Sequence, residues 1–289
     1  MQRAETKVSQ NHNIREGPFW YFRNAYDIYK QMKREPLYQI KENHRLQGPY
    51  FLMVLVGLPA SQAGQFLNVL CQADDRFLLR RPISINRTVG HDTHLVYKVI
   101  GAGTELLSQR KPGEYLDVLG PLGRGWMIED RSQKTGDSSQ EQHILVGGGI
   151  GIAPLLGLAE VLVGQGKKVT ALLGGRTKED VICVKEFEAL GGEVLISTDD
   201  GSCGEQCLVT ELLAKKTPPC SHLYTCGPKP MMKAVAQMAQ KHQVPCQVSL
   251  EEMMGCGLGG CVCCVCATKY GYQKICAEGP VFKAEEIIW

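Results

Sequence analysis

Between Leu37 and about Leu122, apolar and polar residues alternate in short runs, "YFLMVLVGL", "HLVYKVIG" and "EYLDVLG", separated by Gly, Pro and Asn. Period-two alternation broken by turn residues marks half-buried strands. No helix longer than "TELLSQR" interrupts it, so the stretch predicts a small antiparallel β-barrel. The polar segment "EDRSQKTGDSSQEQ" (129–142) then marks a domain boundary or an exposed loop. After it, "HILVGGGIGIAPLLGLAEVLVGQGKKVTALLGG" runs through a strand, a glycine-rich turn, an apolar helix and a second strand. That order is a βαβ unit and predicts a parallel sheet. Strands at "EVLISTD" and "HLYTCG" extend it, with helices at 184–190, 208–215 and 229–242. Upstream, Phe19, Phe22, Tyr26, Tyr29 and Met32 recur at spacings of three and four, one face of a helix that ends before Pro36. This stripe either covers the protein's own core or docks a partner subunit.

The fold class is therefore multi-domain, β plus α/β. The expected parts are an N-terminal extension with an aromatic helix (1–36), a β-barrel (37–138), an α/β domain (139–248) and a small C-terminal lobe (249–289). The last forty residues are dominated by Gly and Cys, leave no room for a core of their own and predict an inorganic one.

Composition narrows the partners. A formal charge of +2, with no basic stripe carrying interleaved aromatics, removes nucleic acid. No apolar run approaches the roughly 18 residues of a membrane span, and "MQRAETKVSQNHN" lacks a signal-peptide core, so a cytoplasmic protein without membrane attachment is expected. Of thirteen cysteines, Cys71, Cys183, Cys203, Cys207, Cys220, Cys226 and Cys246 are scattered without framework spacing and read as free thiols. The other six crowd into residues 255–276.

Two turns have the chemistry of dinucleotide sites. Gly147, Gly148, Gly149 and Gly151, with Pro154 opening the helix, let backbone approach a pyrophosphate at a helix N-terminus. "TCGPKPMM" (225–232) repeats the geometry, with Cys226, Gly227 and Pro228 at a second strand end. Two such turns at one sheet edge enclose a ligand crevice. Cys226 is either a small residue beside a nicotinamide or a nucleophile. In the barrel, "RRPISINR" offers Arg81 for a phosphate and Ser84 for a flavin ring edge, against the bland reading of an ordinary edge strand. The turn Gly101 to Thr104 adds a second anion-suited geometry.

Cys256, Cys261 and Cys264 have the spacing C-x4-C-x2-C, with Cys276 eleven residues on, the plant-type 2Fe-2S pattern. "GLGG" lets the first loop aim backbone N–H groups at cluster sulfurs. Cys261/Cys264 and Cys263/Cys266 also form overlapping C-x2-C pairs, which leaves zinc or thiol exchange open. Only one frame satisfies x4 then x2, and it makes Cys263 and Cys266 non-ligands.

The ordered blocks "RRPIS", "GAGT", "GPLGRGW", "GGGIGIAPL", "TDDGSCG", "TCGPKPMM", "SLEEMMGCGLGGCVCCVC" and "CAEGPVF" resemble the electron-transfer subunits of class 1B dihydroorotate dehydrogenase, in the ferredoxin reductase superfamily. The resemblance runs from about Leu37 to Phe282. It implies an FAD-binding barrel, an NAD-binding α/β domain and a 2Fe-2S lobe. Flavin contacts would fall on Arg81, Pro82, Ile83, Ser84, Val96, Tyr97, Lys98, Gly103 and Thr104. Cluster ligands would be Cys256, Cys261, Cys264 and Cys276, and the nicotinamide crevice would use Gly147 to Pro154 and Cys226 to Pro228. The implied partner is an FMN-containing catalytic subunit of pyrimidine biosynthesis, in a hetero-oligomer. Three departures stand out: residues 1–36, Met253 where the family tends to carry arginine, and the extra thiols Cys263 and Cys266. Two other readings follow, an NADH-linked reductase module serving a different flavoprotein, and a non-enzymatic zinc or redox-sensing scaffold. Arg176 and Lys178, after the second parallel strand, are placed where they favour a 2′-phosphate, so NAD over NADP rests on the resemblance.

Overall fold

A computed structural model of the chain describes residues 37–71, 79–128, 142–216 and 221–289. The aromatic stripe of 1–36, nearly all of the polar segment 129–142 and Cys220 lie outside the described residues. Six strands close a barrel: β1 (Leu37–Gln47), β2 (Tyr50–Val56), β3 (Phe66–Val69), β4 (Arg81–Val89), β5 (Asp92–Lys98) and β6 (Tyr115–Leu122). Their order around the barrel is β1-β2-β5-β4-β3-β6, every pair antiparallel. The alternation read from sequence decides the faces. In β3, Leu67 and Val69 enter the barrel core, while Phe66 joins a different core outside it. The short helix α1 (Ala102–Ser108) closes one end of the barrel through buried Leu107.

The second unit is built on β7 (Gln142–Gly148), β8 (Lys168–Gly175), β9 (Glu193–Thr198), β10 (Glu205–Gln206), β11 (Ser221–Cys226) and β12 (Cys246–Ser249). With β15 (Val281–Lys283) they form one sheet in the order β10-β9-β8-β7-β11-β12-β15, parallel except for the last pair. Helices α2 (Ala153–Gly164), α3 (Val184–Ala189), α4 (Val209–Lys216) and α5 (Lys229–His242) cover it. Both faces are buried: in β7, Leu145 packs into one core and Ile144 and Val146 into another. That is why the strand reads as a continuous apolar run rather than an alternating one. Among the described residues no helix is long and apolar enough to cross a membrane.

The C-terminal lobe consists of the cysteine loop, a hairpin of β13 (Val265–Thr268) and β14 (Gly271–Lys274), and the return strand β15. The expectation of a lobe without a core of its own needs amending, because its buried residues form a protein core that is completed from outside the lobe. Cys264, Ile275, Cys276 and Phe282 pack with Phe66 from the barrel and with Met232 and Ala236 from α5. The barrel in turn docks on α2. The buried Asn86 side chain donates from Nδ2 to the Ala153 carbonyl at 2.7 Å, and Arg87 pairs with Glu160 at 3.2 Å. Removing a buried donor strands its acceptor without water, at about 1–3 kcal/mol. Asn86→Ala should therefore lower the urea-unfolding free energy by about that amount, while Arg87→Gln, at a partly exposed pair, should change it by under about 1 kcal/mol.

Candidate functional site

The carboxyl ends of β7 and β11 are neighbours, so the two glycine turns meet. A Cβ on Gly151 would overlap the Cys226 carbonyl, and one on Gly148 would lie 2.7 Å from Met231 Sδ. Gly148, Gly149, Gly151, Cys226, Gly227 and Pro228 all line a cavity of about 870 Å³, within the range of cofactor sites. Gly147 and Pro154 are not on it; Gly147 packs against Ile152 and Leu155, and Pro154 is buried in the first turn of α2. Burial pushes the Cys226 thiol up to about 12, which keeps it protonated near neutrality. Arg176 also borders the cavity, together with Asp180 and Asp199; Lys178 does not.

Across the crevice stands a cluster that no local motif announced. Tyr50 donates its hydroxyl proton to Asp180 Oδ1 at 2.6 Å, and Lys98 Nζ reaches the same oxygen at 3.2 Å. Gln47 Nε2 donates to the Glu179 and Val181 carbonyls at 3.0 Å each. These contacts tie β1, β2 and β5 of the barrel to the loop after β8. Burial works to raise the Asp180 carboxyl, but the hydrogen bonds from Tyr50 and Lys98 outweigh it and hold it below the ordinary carboxylate value.

The flavin expectation distributes over several environments. Arg81 and Gly103, distant in sequence, come together: a Cβ on Gly103 would lie 3.0 Å from the Arg81 Nε. Arg80 is engaged by Asp117 at 2.9 Å, whereas no carboxylate among the described residues pairs with Arg81, whose Nη1 donates to the Leu79 carbonyl at 2.6 Å. A guanidinium beside a helix's first turn adds a full positive charge to the partial one of the free N–H groups, a setting that suits an anion. Thr104 Oγ1 accepts from the Ile100 amide at 3.0 Å, so its hydroxyl shapes the turn. Pro82 pairs with Asn68 and Ser84 with Phe66 across β3 and β4, which sets Pro82 and Ser84 on the barrel's outer face. Ile83 and Tyr97 point into the barrel core, leaving their main chain for any outside ligand. Val96 is buried in the core shared with the α/β unit, and Lys98 is the crevice lysine above.

The cysteine loop brings Cys256 into hydrogen-bond contact with Cys261, and Cys264 with Cys276. Leu258 N–H points at Cys256 Sγ at 3.3 Å and Gly259 N–H at Cys276 Sγ at 3.1 Å. The donated amides, Leu258 first, lower the Cys256 thiol to about 6, whereas burial raises Cys276 to about 12. Among the described residues no group of three or more Cys, His, Asp or Glu side chains closes on a point as a single ion requires. Two thiol pairs are a donor set that a 2Fe-2S cluster would take. Cys263 is exposed, donating to the Met253 carbonyl at 3.4 Å, and Cys266 borders the 870 Å³ crevice.

The family described as the iron-sulfur cluster binding domain of dihydroorotate dehydrogenase B matches residues 251–288, and the oxidoreductase NAD-binding domain matches 145–237. The "dihydroorotate dehydrogenase B (NAD(+)), electron transfer subunit" of Geobacillus sp. (strain WCH70) is 41% identical over 264 residues, covering 89% of this chain and 99% of its own. The chain belongs to this family of electron-transfer subunits. Its Bacillus caldolyticus member is 42% identical over 233 residues, covering 78% of this chain and 87% of that one. A solved structure described as an NADH-dependent reduced ferredoxin-NADP oxidoreductase, studied for flavin-based electron bifurcation, superposes with a TM-score of 0.76 at 30% identity, covering 89% and 92% of the two chains. The flavohem-like FAD/NAD binding domain of nitric oxide dioxygenase from Vibrio cholerae O1 biovar El Tor (TM-score 0.59, 19% identity, 72% and 93% covered) shares the fold.

Two expectations follow from this geometry. Cys261→Ser or Cys264→Ser should abolish the cluster's visible and electron paramagnetic resonance signals, whereas Cys263→Ser should leave them in place. Asp180→Asn should cost stability in a pH-dependent way. Because the folded Asp180 carboxyl lies below its unfolded value near 4, the wild-type advantage is complete above about pH 4 and disappears as pH falls through the lower folded value. Urea midpoints of the two proteins across that range should converge on acidification.

Proposed function

We propose that the chain is the electron-transfer subunit of an NAD-linked dihydroorotate dehydrogenase B. It moves electrons between NAD(H), FAD and a 2Fe-2S cluster and an FMN-containing catalytic partner in pyrimidine biosynthesis. One observation carries this reading: the glycine-turn crevice and the paired thiols are neighbours, since Met232 lines the crevice and packs in the same core as Cys264 and Cys276. When bound, the nicotinamide supplies electrons in pairs as hydride, the cluster carries one at a time, and the flavin exchanges both ways between them.

The chain's own residues bind, orient and shield. Arg81, with the first turn of α1, would hold the flavin's pyrophosphate, and Pro82 and Ser84 present the face on which its ring would lie. The Gly148–Gly151 turn and Gly227 let a dinucleotide approach main chain, and Lys98 brings a cation to the crevice wall. Cys256, Cys261, Cys264 and Cys276 would hold the cluster. Met253, Leu258 and Val262 are 78%, 63% and 61% exposed and stand beside exposed Cys261, an apolar rim that we assign to the partner subunit. The substrate base belongs to that partner, and electrons in the physiological direction run from dihydroorotate to NAD. All twelve described cysteines are free thiols, which suits the reducing cytoplasm.

The likeness to the ferredoxin-NADP oxidoreductase favours one alternative, a reductase module of the same build serving a different flavoprotein. Anaerobic purification from the native source separates the two by the flavoprotein that accompanies the chain. On either, the isolated complex should show flavin and 2Fe-2S absorbance that NADH bleaches. Colourless protein carrying zinc would overturn the reading.

A further inference from the structure

Among the described residues, three that are not glycine have a left-handed backbone: Cys183 (φ +59°), Gln243 (φ +56°) and Val262 (φ +57°). The first two are accounted for inside the chain. Cys183 packs against the core around α2, and Gln243 ends α5, its N–H donating to the Ala239 and Gln240 carbonyls. Val262 has no such account. In the left-handed region the Cβ crowds the following carbonyl oxygen, and a side chain branched at Cβ is the worst placed of all. The cysteine loop turns left-handed at this point, between exposed Cys261 and buried Cys264. At its other left-handed positions the loop uses glycine, Gly257 (φ +74°) and Gly259 (φ +80°). Val262 is 61% exposed and belongs to none of the apolar cores among the described residues. No core contact offsets the strain, and glycine would remove it without loss of packing.

We infer that Val262 is the anchor of the partner interface, an isopropyl group held outward by a strained turn and buried when the FMN-containing catalytic subunit docks. This rests on the functional reading above. Cys261, its neighbour in the chain, is the exposed one among the four expected cluster ligands, so a partner that exchanges electrons with the cluster has to sit against this side of the loop. The apolar ground continues around it: Cys263 donates to the Met253 carbonyl at 3.4 Å, which sets the exposed Met253 side chain close by. A partner can recognise a side chain and cannot recognise its absence, which is what valine offers over glycine at this turn. Branching at Cβ also restricts χ1, so the isopropyl group has little rotamer freedom to lose on docking.

The test uses the full chain with its cofactors, as wild type, Val262→Gly and Val262→Asn; asparagine tolerates the left-handed backbone and keeps a side chain without the apolar surface. Affinity for the separately produced FMN-containing catalytic subunit is measured by isothermal titration calorimetry, the urea midpoint of the chain alone by fluorescence, and the cluster by electron paramagnetic resonance. Both variants should keep the cluster signal and unfold at an equal or higher urea concentration than wild type, while partner affinity falls about 5- to 10-fold, as expected for one aliphatic side chain no longer buried. Unchanged partner affinity would overturn the inference. A lower midpoint or a lost cluster signal in both variants would overturn it too, by showing that Val262 serves its own loop. Weaker self-association in analytical ultracentrifugation, with partner affinity unchanged, would assign the side chain to a second copy of the chain instead. If glycine alone loosens the loop, the asparagine variant decides. Wild-type chain that binds no FMN-containing subunit would defeat the underlying functional reading.

Discussion

Across β12 and β15, Ser249 faces Val281, Val248 faces Phe282 and Gln247 faces Lys283, and the placement of the C-terminal lobe depends on this short antiparallel register. The chain leaves the sheet at Leu250 and returns at Pro280, and the Leu250 N–H donates to the Pro280 carbonyl at 2.9 Å, pinning both ends of the excursion together. Everything between, the cysteine loop and the β13–β14 hairpin, is a closed loop on the edge of the nucleotide sheet. A segment rich in Gly and Cys buries too little apolar surface to hold itself, so its position must come from neighbours. Phe66 and α5 supply them.

The same constraint explains why three chemically different sites share one junction. The barrel has two outer faces in use. The β2–β5 side carries Tyr50 and Lys98 against the loop after β8, and the β3 side carries Phe66 and Asn68 against the C-terminal lobe. Between these faces run β4 and its arginine. Each face combines apolar packing with directional hydrogen bonds, Val96 and Tyr50 entering the core of the α/β unit and Phe66 that of the lobe, so burial supplies adhesion and the polar contacts set geometry.

The architecture was legible from sequence because its periods are distinct: two in the barrel, continuous apolar runs in the parallel strands, and turn residues between. Spacing alone selects Cys256, Cys261, Cys264 and Cys276 in the cysteine loop, and in the structure Cys256 meets Cys261 and Cys264 meets Cys276. What escaped is long-range. Tyr50 meets Asp180 across 130 positions, a partnership that no local pattern encodes. Gly147 and Pro154 share the glycine-turn pattern with residues that line the crevice, yet they serve packing. Asn68 did leave a trace, as a polar residue in an apolar strand, but that trace acquires meaning only once the Cys256 carbonyl stands beside it. Composition pointed to an inorganic core for the lobe and gave no sign of the protein core that Phe66 and α5 complete.

The two thiol pairs differ in how they meet solvent: Cys264 and Cys276 are 2% and 3% exposed, whereas Cys261 is open and Cys256 half-buried. With the loop ends already pinned and amides already aimed at sulfur, the site has the character of a finished berth rather than a disordered tail. Solvent therefore reaches the four thiols unequally, and an oxidant or alkylating reagent approaching from outside meets Cys261 first and Cys264 and Cys276 last.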